Sequence, residues 1–378
     1  MITPTKNFAG LFLAVVCNVG IFFATTIPAM TVIWSINGFA HALLWPPIVR
    51  LMSTYLSPED YSFAAVRVNQ GSSIATVSLY LFCPLLLGFM EWRTIMLLCA
   101  AWGAVMTVLW FVLDRHRICV SQIGRGHGQL HGEEIPLCAR RFVGGDLIVF
   151  PFYPALHKEA ENAEAPTPTQ KALPVPLYIF GAIALIMPGI MLQGMLRDGV
   201  TNWMPSFLSE TFHLSEENSI VSTVILAIFT MISYSAFRAL QQRFFRNEVT
   251  CASAIFAGSA IVCAILFLVN TFAPEAALVP SLLLMALTVA AMHGINLMLI
   301  SIVPRRFVPF GKVSTYSGIL NASTYVGAAL STYGFAALAE TFDWNFTILT
   351  WAIIALIGAV VCFFGARIWQ RHLDEHQF

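Results

Sequence analysis

The stretch LYIFGAIALIMPGIMLQGMLRDGVTNWMPS, residues 177–206, decides the fold class. Over thirty residues it carries one cation, Arg197, and one carboxylate, Asp198, in a mostly apolar or small-residue background. A helix of about 20 apolar residues crosses the roughly 30 Å hydrocarbon core of a bilayer. The stretch therefore reads as a membrane-spanning helix with two charges inside it.

Nine further runs of this kind lie at 8–28, 30–50, 63–90, 94–113, 219–238, 251–271, 279–302, 314–338 and 344–366. Only the turn around Pro28 separates the first two. One helix through both would be about 66 Å long, twice a bilayer, so a hairpin is expected. Composition agrees: 58% of the 378 residues are hydrophobic and 11% charged, against about 25% charged in soluble domains. Twenty Lys and Arg balance twenty Asp and Glu. A chain so apolar and neutral lacks the charge that keeps a soluble protein dispersed. It has no basic excess for nucleic acid, and it is too hydrophobic for a barrel of alternating strands. The expected class is an all-α polytopic membrane protein with ten helices and the lipid bilayer as its partner.

Basic residues mark the cytoplasmic side of such proteins. With the N-terminus inside, seventeen of the twenty fall in inner segments: Lys6, Arg50, Arg115 to Lys171, Arg238 to Arg246, Arg305 to Lys312, Arg367 and Arg371. Only Arg93 is outside, and Arg67 and Arg197 lie within spans. The expectation is both termini in the cytoplasm and location in the plasma (inner) membrane. Met1 to Lys6 does not open a cleavable signal peptide. Eight cysteines without a CxxC pair and nine histidines without ligand spacing imply no disulfide framework, metal or other cofactor. No nucleophile–base pair within the spans points to an enzyme.

The largest polar interval lies between Asp114 and Val175. Its Lys158–Lys171 part is charged and Pro-rich, as in disordered linkers, whereas 142–157 is apolar enough to lie on a membrane surface. This divides the chain into 1–113, a linker at 114–176, and 177–378, with four helices before and six after. Transporters built from paired three-helix repeats would have six and six. An N-terminal pair is therefore expected to be missing.

Three motifs, in order, carry a family resemblance. Trp45-Pro46-Pro47-Ile48-Val49-Arg50, followed by Leu56–Asp60, resembles the GWPPxxR element ending the fourth helix of the organophosphate:phosphate antiporter branch of the major facilitator superfamily. Arg197-Asp198-Gly199 through Trp203-Met204-Pro205 is similar to that branch's R-x-G-x-x-x-W-x-P seventh-helix pattern, and Gly318, Tyr325 and Gly327 to its eleventh-helix pattern. Leu44 and Tyr61 depart from the first motif. The resemblance implies twelve helices in two six-helix bundles, with 1–113 as family helices three to six. It also implies a substrate bound between the bundles and exchange of organophosphates such as glycerol 3-phosphate or sugar phosphates for phosphate. Two arginines would grip the phosphoryl group. Arg197 matches the one on the seventh helix; the first-helix arginine has no counterpart here, and a fifth-helix histidine of the branch aligns with Ser72. A monomer is expected, or a partner chain supplying the missing helices.

The residues themselves give the candidates. An arginine in a span costs about 2.5–3.5 kcal/mol to insert, so Arg197 needs a partner or a wet cavity; its planar fork suits a small anion. Pairing with Asp198 or snorkelling past a helix end at Pro205 are the structural alternatives. Asp198 follows Arg197 directly, and adjacent residues do not share a helix face, leaving it a gating or proton-coupling role. Arg67 reads as a snorkelling or gating residue. Asn69, Gln70 and Ser72 form a polar step, lining a cavity or bonding a neighbouring helix. His293 and Asn296 share a face, as do Asn321 and Tyr325; each pair could line the cavity, as could Asn202. Gly318, Ala322, Gly327 and Ala329 read as a close-packing ladder. Pro188-Gly189 is expected to interrupt its helix as a hinge.

The leading expectation is a secondary transporter of a small organic anion. Exchange is preferred because an unpaired buried cation favours returning with an anion aboard. The alternatives are a proton-coupled carrier of a carboxylate, sugar or drug-like solute using Asp198 or His293, a non-transporting membrane sensor, and an inactive truncated carrier.

Overall fold

A computed structural model describes residues 3–42, 44–126 and 175–375. Every regular element among the described residues is helical. The helices are α1 (Thr3–Phe23), α2 (Ile27–Ala42), α3 (Trp45–Tyr55), α4 (Pro58–Leu87), α5 (Trp92–Gly126), α6 (Leu177–Phe212), α7 (Glu216–Ser222), α8 (Val224–Phe244), α9 (Glu248–Phe272), α10 (Leu278–Asn296), α11 (Val313–Thr341) and α12 (Trp344–Glu375). Among them lie eight segments long and apolar enough to cross a membrane; α2 and α3 together form one of these. The shorter apolar stretch Phe8–Phe23 within α1 accompanies them. The Gly-, Ser- and Tyr-rich α11 is long, 29 residues, but outside the eight.

The 30–50 run falls within one span, Ile27–Thr54, which α2 and α3 share, with Pro46 and Pro47 in the first turn of α3. Proline there gives up only an N–H that has no intrahelical partner. Three other sequence expectations need correction. The hairpin turn falls at 24–26 rather than at Pro28, which sits in the first turn of α2 for the same reason. Pro188 does not interrupt α6, and Pro205 does not end it; the helix runs through both to Phe212. Termination comes at His213, whose left-handed backbone (φ 54°) turns the chain away. Finally, α5 continues past 113 to Gly126. The Lys158–Lys171 stretch and the 142–157 segment lie outside the described residues.

The chain divides into two compact units, residues 1–41 with 96–172 and residues 42–95 with 173–378. In the first, α1 packs along α2 and α5. Gly20 faces Ile33, Gly103 faces Val15 and the rings of Phe8 and Phe111 lie 5.5 Å apart.

The second unit holds the large buried core. Lipid tails are as apolar as leucine, so close van der Waals fit, not exclusion from water, draws membrane helices together. Glycines supply that fit. A Cβ on Gly194 would strike the Thr324 backbone, and one on Gly327 the Met191 backbone, so α6 and α11 cross with almost no side chain between them. Gly189 lies under Cys362 and Gly358 under the Phe256 ring, seating α12 on α6 and α9. Of the expected ladder, Gly327 does this work and Gly318 meets Pro46, whereas Ala322 and Ala329 are exposed.

Polar ties fix the register. Asn247 caps α9 through the N–H groups of Val249 and Thr250 and donates to the Ala366 carbonyl. Beside it Glu248, with no exposed side-chain surface, takes a forked contact from Arg306 at 2.5 and 3.0 Å and accepts from the Trp369 indole at 3.3 Å. Past Asn296, α10 loosens into a π turn at Leu297–Ile302 and a 3-10 turn at Val303–Phe307. Tyr61 of α4 donates to the Ser301 carbonyl in that turn.

Candidate functional site

Four helices of the second unit converge on a polar cluster. From α6 come Arg197 and Asp198, from α8 Tyr234, from α10 His293, and from α4 Ser72, Ser73, Thr76 and Tyr80. Arg197 reaches Asp198 with two parallel bonds, Nε to Oδ1 at 2.6 Å and Nη2 to Oδ2 at 2.8 Å. This corrects the expectation from the helical wheel. Neighbouring residues point about 100° apart, but the arginine stem is long enough to fold its fork back onto the next side chain. The pair keeps 15% and 27% of its side-chain surface exposed. It is thus accessible on one side while held in a charge-assisted, bidentate contact. One turn on, Thr201 Oγ1 donates to the Arg197 carbonyl at 2.6 Å.

Opposite the pair, Tyr234 Oη and His293 Nδ1 lie 2.8 Å apart with their rings edge to face. Ser73 of α4 and Tyr234 of α8 line the same cavity at this level. Arg197 is within electrostatic reach of Tyr234 and Tyr325, and Asp198 within reach of His293 and Tyr80. A cavity of about 60 Å³ lies among Ser72, Thr76, Tyr80, Thr201, Tyr234 and His293, closed by apolar Leu226 and Val289. That volume suits a few waters and falls short of the roughly 300–1,000 Å³ of typical small-molecule pockets. An organic ligand would require these helices to separate.

Of the residues singled out by sequence, Arg197, Asp198, Ser72 and His293 meet here, with Tyr325, half exposed, at the edge. The others stand elsewhere. Asn69 is buried one turn below, donating to the Ala65 carbonyl and lying 3.5 Å from Ser301 Oγ. Asn202 is exposed, Asn296 is buried near the end of α10 and Asn321 is half-buried, and none of these lines the cavity. Pro188 lies about two turns before Arg197 in a continuous helix. Arg67 is exposed, bonded to Gln70 at 3.2 Å, with its guanidinium 4.9 Å from the Phe63 ring centre.

Ser73, Thr76, Tyr80, Thr201 and Tyr234 were missed. The first three extend the Asn69–Ser72 polar step along α4 at helical spacing, so continuing that stripe would have found them. Gln193 was missed too. One turn before Arg197 and fully buried, it donates to the Met292 carbonyl at 3.1 Å and holds α6 against α10. Among the described residues no group of three or more His, Cys, Asp or Glu side chains could hold a metal ion.

A family model described as Major Facilitator Superfamily matches residues 8–332. No curated protein matches the chain. Among solved structures it is similar to the proton:xylose symporter XylE bound to 6-bromo-6-deoxy-D-glucose. The two share 14% identity over 95% of this chain and 79% of that one, with a TM-score of 0.63. The human organic anion transporter MFSD10 (TETRAN) is 13% identical over 95% of this chain and 77% of that chain, with a TM-score of 0.60. A bacterial homologue of the iron transporter ferroportin, in an outward-facing state, is 14% identical over 97% of this chain and all of its own, at 0.50. At such identities the likeness is one of fold. The family match covers most of the length and agrees with the apolar helices, and the chain belongs to the Major Facilitator Superfamily as a multi-pass membrane protein.

Proposed function

We propose that this chain is a secondary transporter that moves a small organic anion by alternating access, with Arg197 as the group that holds the anion. The observation that carries the reading is the Arg197–Asp198 fork, partly exposed and within electrostatic reach of Tyr80 on α4, Tyr234 on α8 and His293 on α10. A carboxylate or phosphate offers the same two-oxygen geometry as Asp198, so an incoming anion competes with Asp198 for one guanidinium. Tyr234, His293 and Ser72 stand ready to donate to the anion's remaining oxygens. The 60 Å³ cavity then corresponds to an unloaded, closed arrangement, and loading separates α4 from α8. We place both termini in the cytoplasm of a plasma-membrane protein, on the strength of the basic loops.

The cargo we infer is an organophosphate exchanged for phosphate, supported by the seventh-helix pattern in which Arg197 stands. One premise of exchange does change: Arg197 is not an unpaired cation, since Asp198 neutralises it. A neutral empty site can reorient without cargo, which favours a second reading. In it, protonation of Asp198 opens the fork for the anion, and proton and anion travel together.

Proteoliposomes containing the chain separate the two. Exchange predicts that internal phosphate accelerates uptake of labelled glycerol 3-phosphate and that a pH gradient alone does not drive it. Proton coupling predicts uptake driven by an inward proton gradient without internal phosphate. If no organic anion, phosphorylated or not, enters under either condition, the transport reading fails.

A further inference from the structure

The geometry points to a second anion site on the α4–α8 seam, in which Arg67 and Arg238 together hold a phosphate-bearing anion. It is distinct from the Arg197 cluster and does not depend on the reading of that cluster. The two helices run antiparallel here. Gln70 donates to the Met231 carbonyl at 3.1 Å and to Ser235 Oγ at 3.0 Å, and Ser62 accepts from Arg238 Nε at 2.8 Å. Below the Gln70 ties the seam opens into a cavity of about 100 Å³, lined by Phe63, Arg67, Ser235, Arg238 and Gln242. That is several times the space one water needs.

Charge makes this cavity unusual. Both guanidiniums attend one ring: Arg67 is 4.9 Å and Arg238 5.7 Å from the centre of Phe63. Two like charges are thus drawn to one place. No carboxylate lines the cavity, and among the described residues neither arginine has an acidic partner within 4.0 Å. Asp60, one of the two carboxylates in the first turn of α4, accepts from Ser57 in the helix cap. Each arginine spends a single N–H on a neutral side chain, Gln70 for Arg67 and Ser62 for Arg238. A guanidinium has five such donors, so most of both forks remain for a multi-oxygen anion. At about 1.5 Å per residue the cavity lies roughly 10 Å from the start of α4 and the end of α8. That depth admits either a dissolved phosphate or the phosphate of a lipid headgroup.

The test uses the full chain in uncharged detergent, following thermal stability as inorganic phosphate replaces chloride at constant ionic strength, so that simple screening is held fixed. Arg197→Gln removes the first site. The inference predicts that this variant still shows saturable stabilisation by phosphate. Adding Arg67→Gln and Arg238→Gln should abolish it or weaken the apparent affinity at least tenfold, whereas Arg67→Lys with Arg238→Lys should keep part of it.

A second arm counts phosphatidylglycerol molecules retained on the protein by native mass spectrometry. Loss of bound phosphatidylglycerol on Arg67→Gln and Arg238→Gln, without a change in the phosphate response, assigns the site to a lipid headgroup. If the glutamine pair changes neither readout, or if Arg197→Gln alone removes all phosphate stabilisation and lipid retention is unaffected by the pair, the second site does not exist. That outcome leaves the role of Arg197 standing. Conversely, loss of transport without loss of this binding would leave the second site standing.

Discussion

Helices α5 and α10 are equally suited to a membrane and are covered very differently. The most apolar stretch of the α5 span, Trp92–Val112, has a mean hydropathy of 2.2 and is 17% buried by protein; that of the span through α10, Leu278–Phe307, has 2.0 and is 72% buried. The most apolar stretch of the α4 span has still less, 6%, buried. Hydropathy thus identifies what can sit in lipid and says nothing about what touches another helix, because lipid and leucine are interchangeable neighbours. What distinguishes the packed region is small residues at crossings and polar groups with fixed partners. Among the described residues, every glycine whose added Cβ would approach a neighbour closer than 3.0 Å lies in the C-terminal helices: Gly189, Gly194, Gly199, Gly294, Gly327 and Gly358.

The largest effect should come from filling one of those crossings. Gly194→Val or Gly327→Val forces α6 and α11 apart at a backbone contact, and no monodisperse protein should survive size exclusion in detergent. Gly38→Val in α2, where nothing lies within 4 Å, should leave the elution profile intact. Equal behaviour of the two substitutions would break the comparison.

Next in size is the buried carboxylate of α9. Removing one partner of a buried ion pair costs about 3–5 kcal/mol. Arg306 keeps 23% of its side-chain surface exposed, so Glu248→Gln should cost about 2–3 kcal/mol once solvent screening is allowed for. Thermal unfolding in detergent would show it, and an unchanged midpoint would mean the fork does not hold the fold. Smaller again is Gln70→Leu, which removes the two bonds that Gln70 makes from α4 to α8. Interhelical bonds in membranes are worth about 0.6–2 kcal/mol, and a drop of about 1 kcal/mol is expected. At the lower end, Gly71→Ala in α4 meets open space. It should be neutral or stabilise by up to about 1 kcal/mol through reduced backbone entropy; a clear loss would reveal a contact that the sparse burial of α4 does not suggest.

The spans were legible in the sequence because a twenty-residue apolar run suits a bilayer and little else, and Arg197 was legible because a charge within a span must be accounted for. The Arg197–Asp198 pairing was legible only as the structural alternative, and its two-bond form was not. Wheel geometry places Cα–Cβ directions and ignores how far an arginine stem reaches. Glu248 was invisible for a different reason: beside basic Arg243 and Arg246 at a helix start it looks like any loop carboxylate, and only the arrival of Arg306 and Trp369 from distant helices buries it. Tyr234 sits in a run apolar enough to hide a hydroxyl, and Thr201 stands beside Asn202, which drew the attention instead. Pro188 and Pro205 were read as breaks because proline removes a helical N–H, yet α6 continues through both to Phe212.

The central claim is that Arg197 holds the transported anion, and uptake by Arg197→Gln in proteoliposomes tests it most directly, with Asp198→Asn alongside. A charged hydrogen-bonded contact is worth about 1.5–3 kcal/mol, so Arg197→Gln should lower the apparent affinity for an anionic substrate about 10- to 100-fold in protein that remains monodisperse. Asp198→Asn, which removes the competing carboxylate, should raise that affinity while slowing release. Wild-type uptake of every anionic substrate by folded Arg197→Gln would contradict the account.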